Sequence, residues 1–257
     1  MTKQRRFTSS LVLTALAAIT LAACAPASPH SDEAPIAYLP DGDDEELNPE
    51  VPAPADRTVS KIVLNEPTGD AVTKKAVLEK YKHLDPTKLV PKNLLEKAVL
   101  TFDANLASFP NKNTIGIVDF SKRSNKARWW IVDMKTGAVW AIHVAHGKNS
   151  DKNNDGYAEA FSNVNGSNMS SLGVYRAAET YDSSKFGYSL RVDGLSPTNS
   201  KVRERAIVIH PAWYVWESNV VQGKTSGCLG VSKGLSKKLI DMIKNGSMIL
   251  VDLSGVS

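Results

Sequence analysis

Cysteine is scarce in this sequence, with two residues, Cys24 and Cys228, in a chain of 257. So few thiols exclude a disulfide-stapled scaffold and any cysteine-rich zinc or iron–sulfur site. Long apolar runs are scarce as well, because no segment beyond the first 24 residues approaches the roughly 18–20 residues needed to span a bilayer. The hydrophobic fraction of 42% is ordinary, which predicts a packed core and excludes wholesale disorder.

The first 24 residues have the pattern of an export signal. Three basic residues precede an apolar stretch over residues 11–21, which predicts a secretory signal peptide. The sequence Leu-Ala-Ala-Cys that ends at Cys24 resembles a bacterial lipobox, in which the cysteine is diacylated and becomes the mature N-terminus. We therefore predict a lipoprotein signal peptide over residues 1–24, with a soluble secreted protein as the alternative. Alanine at position 25 favours an outer-membrane lipid anchor facing the periplasm, by analogy with known sorting rules.

Residues 25–60 form an acidic, proline-rich segment, which we predict to be a disordered tether. The segment holds seven of the thirteen prolines and nine acidic residues against one arginine. Such a composition cannot bury enough apolar surface to offset chain entropy. Residues 1–24 carry three positive charges, which leaves a net charge of +9 for residues 61–257. A basic, exported body predicts cell-wall polymers or anionic lipid as partners, and no nucleic acid.

The body of the chain changes texture near residue 110. Apolar residues recur at helical spacing within residues 61–110, most clearly over residues 94–106, so this part is predicted to be a helical lead-in. Residues 111–257 are predicted to be mainly β, with strands over 114–120, 128–134, 138–144, 188–192, 206–210 and 247–252 and a helix over 235–244.

Two residues in this β region suggest nucleophilic catalysis. A predicted strand ends at His210, and after seventeen intervening residues Cys228 follows in a polar Thr-Ser-Gly-Cys loop. An imidazole can take the proton of a thiol and leave a thiolate that attacks a carbonyl carbon. Gly227 permits a close backbone approach, and backbone N–H groups around Cys228 are candidates for an oxyanion hole.

Each of these residues has a structural alternative. A lone cysteine is often a small core residue, and a histidine can be a hydrogen-bonded core residue. The loop chemistry and the spacing together favour catalysis. A thiol that attacks an external substrate has to be reachable, so we expect Cys228 to face solvent and His210 to lie within proton-transfer range.

These segments resemble the L,D-transpeptidase catalytic domain family (YkuD-like), in its murein L,D-transpeptidase branch. The resemblance covers residues 71–251 and rests on several ordered blocks. They are residues 115–121, 146–150, 161–163, 166–167, 170–175, 179–181 and 187–195, followed by the His210 and Cys228 segments.

The resemblance implies a β-sandwich-like fold with Cys228 as nucleophile, His210 as base and a backbone carbonyl that orients the histidine. It implies attack on a peptidoglycan tetrapeptide stem, release of D-alanine and a thioester intermediate, without a cofactor. An amine then resolves the thioester, giving a 3–3 crosslink, a D-amino-acid exchange or attachment of a protein lysine. Water as the acceptor would make the protein an L,D-carboxypeptidase.

The family motif is Ser/Thr-His-Gly-Cys followed two residues later by Arg or Asn, and this chain departs from it twice. Thr225 matches the first position, but Ser226 replaces the histidine and Gly230 replaces the Arg or Asn. Without that polar group, substrate carboxylate binding would fall to other residues. The substrate-binding candidates are His146, Thr225, Ser226, Arg191 and Lys224, with Arg205 as a further cation.

Two competing interpretations of the function remain. A sortase-like enzyme has the same His-then-Cys order but needs an arginine after the cysteine, and none follows Cys228. A catalytically inactive wall-binding lipoprotein is the other class, and Gly230 is the departure that favours it.

Residues 151–156 match the first half of a calcium loop, but Ser162 stands where the bidentate Glu is required, so a turn is favoured over a metal site.

Overall fold

The computed structural model describes residues 62–67 and 69–255. The predicted signal peptide over residues 1–24, the lipidation of Cys24 and the tether over residues 25–60 all lie outside the described residues and stay predictions. In the described ranges no helix combines the length and the apolar character needed to cross a membrane.

Two helices precede the strands. Asp70 accepts hydrogen bonds from the backbone N–H groups of Val72 and Thr73 and so caps the first helix. The second helix begins directly after Pro91, a residue that fits a helix N-terminus because it has no N–H to satisfy. The helices are α1 (Ala71–Lys80), α2 (Lys92–Ala104) and, late in the chain, α3 (Lys233–Ile243).

Eight strands form one mixed sheet in the order β3-β2-β1-β8-β4-β5-β6-β7. The sheet curls until its two edges meet. At the meeting point the Ala145 N–H, just after β3, donates to the carbonyl oxygen of Gly230 in β7 at 2.9 Å. Gly147 and Thr225 form a parallel bridge beside it. The strands are β1 (Thr114–Asp119), β2 (Trp129–Asp133), β3 (Val139–Ile142), β4 (Gly173–Ser183), β5 (Gly187–Gly194), β6 (Val208–Ala212), β7 (Leu229–Ser232) and β8 (Met248–Asp252).

Alternating side chains of the central strands pack into two cores. In β8, Ile249 and Val251 face an inner core between the curled halves of the sheet, while Met248 and Leu250 face an outer core beneath α1 and α2. The apolar stripe of α2 lies in that outer core. This alternation with period two is what a strand buried on both faces requires.

The mainly β fold with a helical lead-in is confirmed, and the strands join in one curled sheet. Sequence periodicity missed β4 and β7 and placed β6 two residues early. Strand β4 carries charged residues, is only partly buried and has a bulge between Ala177 and Thr180, so its alternation is weak. Strand β7 has four residues, too few for a periodic signal.

Candidate active site

The two predicted catalytic residues lie on neighbouring parallel strands. Ile209 of β6 pairs with Leu229 of β7, and His210 pairs with Gly230. Cys228 precedes β7 by one residue, so it lies one diagonal step from His210 on the same face of the sheet. The fold therefore brings together two residues that have seventeen residues between them in the sequence.

A backbone carbonyl fixes the tautomer of His210. The ring atom Nδ1 lies 3.1 Å from the carbonyl oxygen of Pro211. A carbonyl can only accept, so Nδ1 carries the proton and the buried Nε2 is the basic nitrogen. Phe186, from the turn between β4 and β5, stacks on the imidazole with ring centroids 4.0 Å apart. The ring is thus oriented on one side and covered on another.

The loop that carries Cys228 is held by Thr225. The Thr225 hydroxyl donates to the carbonyl oxygen of Cys228 at 2.9 Å and accepts the Gly227 N–H at 3.0 Å. Gly227 has a φ of +117°, and a Cβ there would lie 2.7 Å from the carbonyl oxygen of Met169. Glycine is required because of both its φ and this approach. Because its N–H donates to Thr225, Gly227 serves to shape the loop. Of residues 225–228, Ser226 is half-buried and the other three are buried.

Cys228 is buried, and the expectation that it faces solvent is wrong. The residue is 0% exposed and belongs to the inner core, and His210 is 0% exposed as well. The sulfur lies 4.0 Å from the carbonyl oxygen of Ala206. The polar loop sequence misled because distant segments pack here: the Met169 carbonyl lies against Gly227, and Phe186 covers His210. The pair Cys228 and His210, called the dyad below, is therefore closed to solvent in this conformation.

Close packing explains why position 230 is a glycine in this chain, which the family motif alone did not show. A Cβ at this position would lie 3.1 Å from Cγ2 of Thr225 and 3.3 Å from Cβ of Ala212. The neighbouring Ala145 closes the same side at 3.6 Å. Any side chain at this position would therefore require Thr225 and Ala212 to shift slightly. The position therefore serves closure of the sheet in this chain.

Arg191 shares the face of the dyad. It pairs with Val208 of β6, which lies at the level of Cys228. Its guanidinium stacks over the Tyr181 ring at 4.3 Å, and its Nε lies 3.7 Å from a Glu179 carboxylate oxygen. Burial raises the pKa of Tyr181; Arg191 opposes the rise, and the charge of Cys228 adds to it. Tyr181 is thus close enough to Cys228 to sense a charge on its sulfur.

His146 and Lys224 have partners inside the protein. His146 is 0% exposed, with Nδ1 2.8 Å from Arg128 Nη2 and Nε2 3.3 Å from Asp151 Oδ2. Burial is the main reason that the pKa of His146 falls to about 4; the Asp151 carboxylate opposes the fall, and the positive charges of Arg128 and Lys224 add to it. The ring is therefore neutral near pH 7. This arrangement favours a bracing role for both residues, and their binding of substrate stays a prediction.

Lys224 occupies the loop that resembles a calcium site. Its Nζ lies 3.0 Å from the carbonyl oxygen of Asp151 and also contacts the Asn154 side chain. The Asp151 carboxylate accepts the N–H groups of Asp155 and Gly156. The ammonium thus lies where a bound cation would sit in such a loop. Within residues 62–67 and 69–255 no cluster of three His, Cys, Asp or Glu residues could hold a metal ion.

The sequence profile of a family described as L,D-transpeptidase catalytic domain matches residues 87–251, more than half of the chain. The chain belongs to this family. The matched range begins before α2 and ends in β8, so it includes every strand of the sheet. The resemblance seen in the sequence is thereby confirmed.

Solved structures of L,D-transpeptidases overlap this catalytic domain only loosely. A Mycobacterium smegmatis L,D-transpeptidase is 14% identical over 54% of this chain and 58% of its own, with a TM-score of 0.35. One from Stackebrandtia nassauensis is 15% identical over 71% of this chain and 77% of its own, with a TM-score of 0.33. The chain spans a little over half the length of the first of these. No curated protein matches the chain in sequence.

Two residues near the dyad of this L,D-transpeptidase domain were not predicted from sequence. Phe186 covers His210, and Tyr181 lies under the Arg191 guanidinium with its pKa raised in part by the charge of Cys228. The signal for Phe186 is an aromatic residue within the short polar turn Ser-Ser-Lys-Phe-Gly. Tyr181 gave no separate signal, because an aromatic residue in a strand is ordinary.

Proposed function

We propose that this L,D-transpeptidase domain is a cysteine acyltransferase acting on peptidoglycan tetrapeptide stems. Nε2 of His210 takes the Cys228 proton, and the thiolate attacks the carbonyl carbon of the third stem residue. The bond to D-alanine breaks, and the imidazolium returns the proton to the leaving amine. An amine acceptor then attacks the thioester and frees the sulfur.

The observation that carries this proposal is the geometry of β6 and β7. The register places Cys228 and His210 on one face, and the Pro211 carbonyl leaves Nε2 of His210 as the proton acceptor. No acid side chain is needed for the orientation. The family membership supplies the chemistry that such a pair performs.

Access to the buried sulfur requires a movement, and we propose that the β4–β5 turn, which covers His210 through Phe186, is the segment that moves. Phe186 lies over His210, and the turn over residues 183–187 joins two strands without packing of its own in the inner core. Opening this turn would expose the imidazole first. Substrate binding therefore includes displacement of the Phe186 ring.

The setting of the enzyme is part of the proposal. The signal peptide and Cys24 favour an exported protein with an N-terminal lipid anchor on the periplasmic side of an envelope membrane. Peptidoglycan stem peptides are then the donor partner. The acceptor is an amine of a second stem, a free D-amino acid or a protein lysine, and water gives carboxypeptidase activity.

The test is product analysis of the protein with disaccharide-tetrapeptide muropeptides, with and without an added amine. We expect release of D-alanine by the wild type and none by Cys228→Ala or His210→Ala. Cys24→Ser, which removes the other thiol of the chain, is the matched control and should still release D-alanine. Release by Cys228→Ala refutes the nucleophile, and binding of muropeptide without release by the wild type supports the inactive wall-binding alternative.

A further inference from the structure

Arg205 lies against the loop of the nucleophile. It is 6% exposed and precedes Ala206, whose carbonyl oxygen is 4.0 Å from the Cys228 sulfur. A Cβ at Gly227 would lie 3.1 Å from Arg205 Nη2. The Arg205 guanidinium is therefore a close charged neighbour of the Gly227–Cys228 backbone.

The hydrogen bonds of Arg205 all go to neutral acceptors on one segment, residues 162–171. Nη1 donates to the Ser162 carbonyl at 2.7 Å and to the Ser171 hydroxyl at 2.6 Å. Nη2 donates to the Met169 carbonyl at 2.6 Å and to the Ser167 hydroxyl at 3.2 Å. Among the described residues no carboxylate pairs with this guanidinium, which is costly for a buried cation unless another anion lies nearby.

The anion that the structure offers is the thiolate. Burial lowers the pKa of Arg205, and the charges of Tyr175 and Cys228 oppose that effect. The Tyr175 hydroxyl donates to the Ser171 carbonyl at 2.7 Å, and burial raises the pKa of that phenol, so Tyr175 stays neutral. Of the two groups, Cys228 is therefore the one that becomes an anion during the reaction.

We infer that Arg205 is the fixed positive charge that stabilises the Cys228 thiolate and holds residues 162–171 against it. The inference rests on the proposed function, since it concerns the same nucleophile. Four N–H groups of Arg205 are already engaged, so the side chain acts on the sulfur through its charge and does not bind a substrate carboxylate. Arg205 is a positioning residue, and the carboxylate binding that the family motif assigns to position 230 is not part of its role.

The test measures the rate of alkylation of Cys228 by iodoacetamide as a function of pH. The full-length chain carries Cys24→Ser, so that Cys228 is its one thiol. In Arg205→Gln we expect the midpoint of the rate profile to rise by about one pH unit, the lower end of the effect of losing a nearby opposite charge. Below the midpoint this corresponds to a rate about tenfold lower.

Two further variants separate charge from bracing. Arg205→Lys keeps the positive charge but loses the planar guanidinium that donates several hydrogen bonds. Its midpoint should stay near that of the wild type while its melting temperature falls. Ser171→Ala removes one hydrogen-bond acceptor and leaves the charge, so its midpoint should also stay near that of the wild type. Equal midpoints in wild type and Arg205→Gln overturn the inference, as does an upward shift shared by all three variants.

The outcomes also separate this inference from the proposed function. If Cys228→Ala is inactive and the midpoint in Arg205→Gln is unshifted, the nucleophile stands and the role of Arg205 falls. If Arg205→Gln does not fold, Arg205→Lys decides, because a midpoint moved upward in that variant contradicts stabilisation by charge. D-Alanine release by Cys228→Ala refutes both.

Discussion

Gly227→Ala should unfold the nucleophile loop far more than its single methyl group suggests. At a φ of +117° any L side chain is strained, which costs about 1–3 kcal/mol. The new Cβ would also lie 2.7 Å from the Met169 carbonyl oxygen, a backbone atom that cannot rotate away. We therefore expect the free energy of unfolding to fall by about 2–4 kcal/mol.

Urea denaturation measures this change, and Gly234→Ala is the matched control. Gly234 lies in α3, and a Cβ there meets no atom within 4 Å. Alanine at that position should stabilise the protein by about 0.4–1 kcal/mol, because it restricts the unfolded chain. If Gly227→Ala unfolds at the same urea concentration as the wild type, the argument that this loop requires glycine is wrong.

Three other predictions follow from buried groups around the dyad. Burial lowers the pKa of His146 to about 4, whereas an unfolded histidine titrates near about 6.5. The unfolded chain therefore binds more protons than the folded chain between these two pH values. Urea titrations should show that the contribution of His146 to the free energy of unfolding is fully present above pH about 6.5. It should be lost as the pH falls towards about 4, by about 3 kcal/mol. A dependence equally steep in His146→Gln would contradict this origin. Phe186→Ala should speed alkylation of Cys228, since it uncovers His210; an unchanged rate would locate the entrance elsewhere. A chelator should leave D-alanine release intact, because the Lys224 ammonium occupies the loop over residues 151–156; loss of activity restored by calcium would refute that assignment.

Sequence periodicity predicted the elements whose burial is one-sided or complete over several residues. The stripe of α2 and the apolar runs of β1, β2 and β8 are of this kind, and each packs as expected. Strand β4 was missed because a bulge interrupts its alternation and its middle is only partly buried. Its pairing with β5 and β8 comes from tertiary contacts that no local pattern encodes.

The dyad could be predicted, but its surroundings could not. The order of His210 and Cys228 and the glycine before the cysteine are local features of the sequence. The clamp of Arg205 on residues 162–171 and the contact of Lys224 with Asp151 join segments far apart in the chain. Burial of Cys228 likewise depends on packing between distant segments, which the loop composition does not encode.

The most direct test of the central claim is intact-mass measurement of the protein during reaction with a tetrapeptide muropeptide. The account predicts a transient adduct equal to the donor minus D-alanine, mapped by peptide digestion to Cys228 and absent from Cys228→Ala. An adduct on another residue, or D-alanine release that persists in Cys228→Ala, would contradict the account.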